Sequence, residues 1–411
     1  MNNKFKIELD NLLKEYLGDE EFYKLNQNLN YINNTADEIS TKINDFYRDQ
    51  LQINISNYNE RIIIDRTITY SEKKLENDKF CKFLIKLGYI CLSGGKLNFA
   101  TEIFKKAFIC NPDSVGISKA ETLIGLADVY SRRANWSRSL TIIAEAESMY
   151  KQINDKTGLA KCENFLGSIY GEMGNLNNAK EHFLNCLFLI NPETDPELTA
   201  NLETNLGVIE TIRGNSVDSL MHFTKALKIF LELGDYKRVS EINLNIGMVY
   251  LGTEKYDLAI SAFDEGIKTA KEGGFISVLC LIYLAKSSTL ISMNDIYYAD
   301  QFADKAFEMS HDIDDKLTLA DIYKTKGIIE RHLKNFNVSE SYLLNSLRIN
   351  TTFKNAMNIA ETSLELAILY EELKNYESKH FYLKNSLNYY KEINALAKIK
   401  MIEEMLDAKA A

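Results

Sequence analysis

The 411-residue chain contains few of the residues that break helices or build cross-linked scaffolds. It has three prolines, Pro112, Pro192 and Pro196, and a single tryptophan. Because proline removes a backbone donor and ends helices, its scarcity favours a chain that is helical almost throughout. The six cysteines form no C-x-x-C pair, and this favours a reduced, cytoplasmic setting over a disulfide framework.

The chain also has fewer positively than negatively charged residues. Lys and Arg total 48 against 58 Asp and Glu, so the formal net charge is −10. Since nucleic-acid binding depends on neutralising phosphates, we expect no DNA or RNA partner. Residues 1–17 mix charged and apolar side chains and predict no secretory signal. The most apolar run, residues 275–293, carries Lys286 and several serines, which predicts a buried helix rather than a membrane span.

The motifs of the common enzyme classes are missing. The sequence has no phosphate-binding glycine loop after a strand, no G-x-S-x-G and no H-E-x-x-H. We therefore predict a protein that is not an enzyme and needs no cofactor. His182 and His222 lie 40 residues apart, but no further metal ligand recurs at that interval, so we predict no metal site.

What the chain does have is an internal repeat. A small residue, called the marker residue below, recurs at an interval of 39 once and then of 40 six times. Such regularity is typical of stacked copies of one structural unit. The marker residues are Gly88, Ala127, Gly167, Gly207, Gly247, Ser287, Gly327 and Ala367.

Further columns keep the same register. Small residues recur twelve and nineteen positions after each marker residue, with Lys379 as the exception, and a mostly larger apolar residue lies sixteen positions after it. Small residues let two helices approach closely, and the larger one fills the space between them. The larger column comprises Phe104, Ile143, Phe183, Phe223, Phe263, Ala303, Leu343 and Leu383.

Both halves of each repeat are predicted to be amphipathic helices, because apolar residues are spaced by three and four. Gly or Asn marks the turn between them, as in Gly174-Asn175 and Gly214-Asn215. The sequence therefore predicts an all-α solenoid of about eight helix–turn–helix repeats over residues 80–394. Apolar spacing in residues 395–411 predicts a C-terminal capping helix.

Residues 165–186 combine Phe165-Leu166-Gly167 and Tyr170 with Ala179, Phe183 and Cys186. This pattern resembles the tetratricopeptide repeat, and the resemblance implies a right-handed solenoid whose first helices line a concave binding surface. The period of about 40 exceeds that family's usual value of about 34. Lengthened repeats of this kind resemble those of kinesin light chains, spindle-orientation adaptors and bacterial Rap regulators. We expect the extra residues between units, around Asn154-Asp155, Gly234-Asp235, Gly273-Gly274 and Asp314-Asp315.

Residues 1–79 form a separate helical region. Residues 5–16 fit an amphipathic helix that breaks at Gly18-Asp19, and residues 21–31 fit a second one. Residues 41–74 match the length of one degenerate repeat. Its candidate core residues are Ile43, Tyr47, Leu51 and Ile64.

The segment at residues 42–48 is similar to the start of Rap proteins. That resemblance implies N-terminal helices that act on a response regulator while the repeats bind a peptide pheromone. The resemblance also implies a carboxamide side chain on these helices that takes part in the action on the response regulator. Gln50 or Gln52 would be that residue here. A third alternative is that the chain is the N-terminal sensory part of a larger signalling protein.

Binding on the concave surface is the function that we expect first, in a bacterial, non-enzymatic adaptor or sensor with a protein or peptide partner; homo-oligomers remain open. An Asn carboxamide both donates and accepts, so it can hold a peptide bond whatever the sequence, while apolar positions select side chains. The alternative is that these Asn residues lie on the first helices by coincidence, because Asn is abundant throughout the chain. Lys324 and Arg331 fit either contact with a ligand carboxylate or a solvated face of the helix. The predicted binding residues are Asn164, Asn201, Asn205, Val208, Leu244, Asn245, Met248, Leu284, Lys324 and Arg331.

Overall fold

The computed structural model describes residues 3–42, 55–110, 116–310, 315–392 and 395–407, and all regular structure within these ranges is α-helical. The chain divides into two compact units, Met1–Asp195 and Pro196–Ala411. No helix in the described ranges is both long enough and apolar enough to cross a membrane. The predicted all-α solenoid is confirmed.

The helices follow one another without any other element. In the first unit they are α1 (Asn3–Lys42), α2 (Ile55–Lys74), α3 (Asn77–Ser93), α4 (Leu97–Cys110), α5 (Ile117–Arg132), α6 (Trp136–Gln152), α7 (Lys156–Glu172) and α8 (Leu176–Leu189). In the second they are α9 (Pro196–Ile212), α10 (Ser216–Leu233), α11 (Tyr236–Gly252), α12 (Tyr256–Gly273), α13 (Ile276–Ser292), α14 (Ile296–Ser310), α15 (Lys316–His332), α16 (Phe336–Thr352), α17 (Ala356–Glu372), α18 (Tyr376–Glu392) and α19 (Leu396–Asp407).

From α3 onward the helices form pairs. The odd-numbered helices from α3 to α17 are the first helices, and each packs against the even-numbered second helix that follows it. Within each unit the second helix also packs on the next first helix, and neighbouring first helices touch. This arrangement is the stacking that the repeat predicts.

The turns explain where helices end and begin. Gly174 and Gly234 have left-handed φ values of 76° and 69°, and the following N–H reaches back to the carbonyl five residues earlier, as in Asn175 N to Tyr170 O at 2.8 Å. This is a Schellman ending, for which glycine has no Cβ penalty. The Asn175 side chain then accepts from Asn178 N and so caps the next helix.

The extra length of the repeat lies in the helices. Helices α11 and α13 each contain 17 residues, and most of the others are of similar length. The turn at residues 153–155 between two pairs is as short as the turn at residues 173–175 within a pair. The expectation that extra residues separate the units was wrong at Asn154-Asp155, Gly234-Asp235 and Gly273-Gly274, because these sites are tight turns of the same kind. At the fourth expected site, Asp314-Asp315, Asp314 lies outside the described residues.

The marker column and the larger apolar column pack directly against each other. A Cβ atom added to Gly247 would lie 2.3 Å from the Phe263 ring, and one added to Gly207 would lie 2.7 Å from the Phe223 ring. Where the marker residue is Ser287, the partner shrinks to Ala303, and both are fully buried. The combined volume of the pair is thus limited, as close packing requires.

Serine in these columns satisfies carbonyls at the close contact. The Oγ of Ser219 donates to the Gly207 carbonyl at 2.9 Å, and the Oγ of Ser339 donates to the Gly327 carbonyl at 2.7 Å. In the pair α13–α14 the serine is on the first helix instead, and Ser287 donates to the carbonyl of Ala299 on the second helix at 2.7 Å. The buried hydroxyl groups of these three serines therefore keep hydrogen-bond partners.

Two lysines occupy a column that is otherwise aliphatic. The residue before the marker is buried Lys286 in α13 and buried Lys326 in α15, whereas other pairs have Leu or Ile there. Their ammonium groups pair with Asp264 and Asp304 on the preceding second helices. The ammonium of Lys286 also lies 4.6 Å from the centre of the Phe302 ring. The long apolar stems fill the space of a leucine, and the charged ends reach more exposed carboxylates.

The ends of the chain pack on the repeats. Helix α1 has a non-helical residue at Gly18, with φ 76°, and this confirms the predicted break there. Phe5, Leu9 and Leu13 are buried, and α1 contacts α3. At the other end α19 packs on α18. The predicted core residue Ile64 is buried, whereas Ile43, Tyr47 and Leu51 lie outside the described residues.

The size complementarity of the two columns is testable at Gly247 and Phe263. We expect Gly247→Ser to destabilise the protein by about 1–3 kcal/mol through overpacking, and Phe263→Ala by about 3–5 kcal/mol through a cavity. The double variant recreates the Ser287–Ala303 pairing. It should therefore lose less than the sum of the two single variants, with a coupling of about 0.5–3 kcal/mol in urea unfolding.

The matched control is Gly252→Ser, because a Cβ atom at Gly252 would meet nothing within 4 Å. We expect a change within about 0.5 kcal/mol. Strict additivity of the two core substitutions would contradict the packing role of the columns.

Candidate binding groove

The second unit contains a groove on the face formed by its first helices. Residues of α11, α13 and α15, with one from α17, line an open cavity of about 340 Å³. We call it the α11–α15 groove. It is lined by Leu244, Asn245, Met248, Leu251, Leu281, Leu284, Ala285, Ser288, Asp321, Lys324, Thr325 and Asn358.

The groove is largely apolar at α11 and α13. Met248 and Leu281 are 45% and 40% exposed, although large apolar side chains are normally buried. Adjacent exposed apolar side chains in a concave surface are typical of a ligand site. The carboxamide of half-buried Asn245 lies among them and makes no hydrogen bond to any described residue. The groove thus offers aliphatic contacts together with one free donor and acceptor.

Half of the predicted binding residues line this groove. They are Leu244, Asn245, Met248, Leu284 and Lys324. Leu244, Leu284 and Lys324 lie three residues before their marker residues, Asn245 lies two before, and Met248 lies one after.

The other predicted residues lie elsewhere. Asn205 and Val208 are on α9 in the same register, and Val208 is 39% exposed. Asn201 is on α9 six residues before the marker residue Gly207. Asn164 is on α7 in the first unit, and Arg331 lies on α15 beyond the groove lining. The structure therefore brings the α11, α13 and α15 residues together and does not add Asn164 to them.

Sequence reasoning missed several lining residues. Leu281 and Asp321 lie six residues before their marker residues. The predicted residue Asn201 holds that position on α9, so applying the position to α13 and α15 would have identified both. Ala285, Ser288 and Thr325 share positions already used in neighbouring repeats. Asn358 lies nine residues before its marker residue, and nothing in the repeat pattern points to it.

The cations at the α15 end of the groove are already paired. Lys324 is only 16% exposed and lies 2.5 Å from Glu361 Oε2 and 3.2 Å from Asn358 Oδ1. Burial disfavours its charged form, but Glu361 and Asp321 outweigh this and raise its pKa. Lys324 is thus neither solvated nor unpaired, and its ion pair links α15 to α17.

Arg331 makes a second link between the same helices. Its guanidinium lies 2.8 Å from Glu372 and 3.2 Å from Glu365, and its side chain is 13% exposed. Burial raises the pKa of Glu365 in spite of Arg331. The charged form of Glu365 therefore depends on this arginine.

The two histidines belong to packing pairs. His222 Nδ1 lies 2.5 Å from Glu203 Oε2, and His182 Nδ1 lies 2.7 Å from Glu163 Oε2. In later repeats the same two positions hold aromatic pairs, such as Tyr283 and Phe302. No group of three or more potential metal ligands occurs among the described residues. The His–Glu pairs thus occupy the place of aromatic contacts.

Comparison with known proteins agrees with the repeat architecture. Tetratricopeptide repeat profiles match residues 198–272 and residues 164–189. The chain therefore contains tetratricopeptide repeats. No sequence among the curated proteins matches the chain.

Several solved structures share the fold. The apo form of the quorum sensor NprR from B. thuringiensis is 14% identical, with a TM-score of 0.61, over 86% of this chain and 99% of that one. The apo form of RapI is 16% identical, with a TM-score of 0.57, over 67% and 99%.

A signal transduction ATPase with a tetratricopeptide repeat sensor from Pyrococcus horikoshii is 17% identical, with a TM-score of 0.59, over 84% of this chain. This chain spans about half of that protein, 52% of its length. At such identities the likeness is one of fold. The expected resemblance to lengthened, Rap-type tetratricopeptide arrays is confirmed at that level.

The dependence of Glu365 on Arg331 can be tested with Arg331→Met. We expect a loss of about 3 kcal/mol, because a largely buried carboxylate is left without its cation. Since the pKa of Glu365 is already raised, protonation relieves the penalty as the pH falls. The loss should therefore be smaller at about pH 5 than at about pH 8 in urea unfolding.

Lys334→Met is the control, because Lys334 also pairs with Glu372 but is 67% exposed. We expect it to change stability by less than about 1 kcal/mol. A pH-independent deficit for Arg331→Met would contradict the assigned role.

Proposed function

We propose that this protein is a non-enzymatic cytoplasmic sensor or adaptor that binds a short peptide in the α11–α15 groove. The observation that carries the proposal is the open apolar groove with an unpartnered carboxamide, lined by the first helices of consecutive repeats. Catalytic constellations were not predicted from the sequence, and the groove supplies binding contacts rather than a nucleophile with a base. The quorum-sensing role of NprR, a protein of the same fold, supports a signalling function.

The chemistry of the groove fits a peptide in extended form. Leu244, Leu281 and Leu284 offer contacts to aliphatic side chains, whereas Asn245 can hold a backbone amide by donating and accepting at once. Asn205 on α9 has the same register and, within the described residues, also makes no side-chain hydrogen bond. It would extend the row of carboxamides by one helix.

The size of the groove sets the length of the ligand. Packed helices lie about 8–10 Å apart, so α11 to α15 spans roughly 16–20 Å. An extended chain advances about 3.3 Å per residue. A peptide of about five or six residues therefore fills the groove, and α9 adds room for two or three more.

A second candidate function is regulation of a response-regulator-type partner by the N-terminal helices under control of the bound peptide. It is favoured by the shared fold with RapI and by the docking of α1 and α2 against α3. Gln50 and Gln52, the carboxamides expected in this role, lie outside the described residues. A third candidate is that the repeats form the sensor of a larger signalling protein, as tetratricopeptide repeats do in the Pyrococcus horikoshii ATPase.

Native mass spectrometry tests the proposal. Purified protein exposed to the peptide fraction of its own cell extract should retain a peptide mass. We expect the Asn205→Ala/Asn245→Ala variant to lose it, because each lost hydrogen bond to a buried peptide group costs about 1–3 kcal/mol.

The control is Asn337→Ala/Asn388→Ala, which removes two exposed carboxamides from the second helices α16 and α18. This variant should retain the peptide as the wild type does. If no peptide is retained, or if the groove variant retains it fully, peptide binding through these carboxamides is excluded and a scaffold using other surfaces is favoured.

A further inference from the structure

Asp321 stands out among the lining residues because its carboxylate is not satisfied. It lies on α15, where the leucines of α11 and α13 give way to the charged pairs that join α15 and α17. Its Oδ1 atom is buried and has no hydrogen-bond partner among the described residues. The side chain as a whole is still 32% exposed. A buried acceptor without a donor is a cost that a bound group can remove.

The neighbouring cation does not supply that donor. Lys324 Nζ is 3.5 Å from Asp321 Oδ1, and its closer contacts are Glu361 and Asn358. At 3.5 Å the attraction is that of a loose ion pair without the geometry of a hydrogen bond. Lys324 is therefore committed to α17 and leaves Asp321 as an acceptor.

The other carboxylates at this end of the groove each have a hydrogen-bonded cation. Glu361 pairs with Lys324, Glu365 pairs with Arg331, and Glu372 pairs with both Arg331 and Lys334. Asp321 is the acidic group left over in this cluster within the described residues. Local charge at the end of the groove is accordingly negative.

We infer that the ligand of the groove carries a positively charged group, either a Lys or Arg side chain or a free N-terminal ammonium, which binds Asp321 while aliphatic residues fill the space beside Leu281 and Leu284. This inference rests on the proposed peptide binding and adds the ligand's charge. Burial raises the pKa of Asp321, and a cation at this place would favour the ionised carboxylate again. Charge-assisted hydrogen bonds of this kind are among the strong ones.

The opposite polarity is disfavoured by the same contacts. A ligand carboxylate at this place would lie beside Glu361 and Asp321, and Lys324 is the cation among the lining residues that would have to offset all three. Three carboxylates around one ammonium would repel one another. The groove therefore selects a cationic peptide over an acidic one.

A random hexapeptide library, half of it N-acetylated, tests this inference. Immobilised wild-type protein should enrich peptides that carry Lys, Arg or a free N-terminus at least about tenfold over neutral ones, as a charge-assisted bond implies. Asp321→Asn should lose this enrichment while still retaining aliphatic peptides. The acetylated half distinguishes a side chain from a terminal ammonium.

Asp218→Asn is the matched control, because it removes an exposed carboxylate from second helix α10 of the same unit, and it should enrich cationic peptides as the wild type does. Unfolding midpoints of the variants establish that Asp321→Asn is folded. Should it unfold, the wild type alone decides the question. Its enrichment of cationic peptides must then weaken with rising salt, because a partly exposed charge pair is screened.

The possible failures are distinguishable. Retention of peptides without preference for cationic ones, or the same preference in Asp321→Asn, overturns the inference and leaves peptide binding intact. Enrichment of acidic peptides also overturns it and would assign Lys324 to the ligand. Retention of no peptide at all overturns the proposed function together with the inference.

Discussion

The close contact between a small residue on each first helix and a larger residue on its second helix is the constraint on which the rest of the structure depends. With Gly247 against Phe263, the two helices approach until no side chain fits between the glycine and the ring. Because the same contact recurs in each pair, every first helix presents the same face in the same register. The groove residues on α11, α13 and α15 therefore come together although 40 residues separate equivalent positions.

Much of this architecture could be predicted from the residues. The marker residues and the larger apolar column identify the contacting positions, and their common register predicts a binding face that includes Leu244, Asn245 and Met248. The length of the helices was harder to predict. Turn residues such as Glu254 and Lys334 adopt left-handed φ values of 58° and 65°, yet neither residue type signals a turn, so the true helix ends are hidden in the sequence.

Charge pairing in the groove could not be predicted for a different reason. Lys324 reaches Glu361 across 37 residues, and Arg331 reaches Glu372 across 41. Whether such long side chains meet depends on their rotamers and on the packing angle of α15 against α17, neither of which the repeat pattern determines. For the same reason the missing hydrogen bond at Asp321 Oδ1 appears only when all the neighbours of Asp321 have been placed.

The proposed binding function rests on side chains of the first helices that the repeat packing leaves exposed or without a hydrogen bond. Met248 and Leu281 remain exposed in the groove, as Val208 does at the Met248 position of α9. The ion pairs of Lys324 and Arg331 hold α15 to α17 at one end, and no such pair is found between α11 and α13 in the described chain. The groove thus lies where the ionic links between first helices are missing, and there a ligand can supply the missing contacts.

Site-specific photo-crosslinking tests peptide binding in this groove most directly. The photoreactive residue p-benzoylphenylalanine replaces either Leu281, which lines the groove, or Leu258, which lies on second helix α12. The two native side chains have similar exposure, 40% for Leu281 and 49% for Leu258. After irradiation in cell extract, we predict peptide adducts at position 281 and none at position 258. Adducts at position 258 alone, or the same large proteins at both positions, would contradict the account.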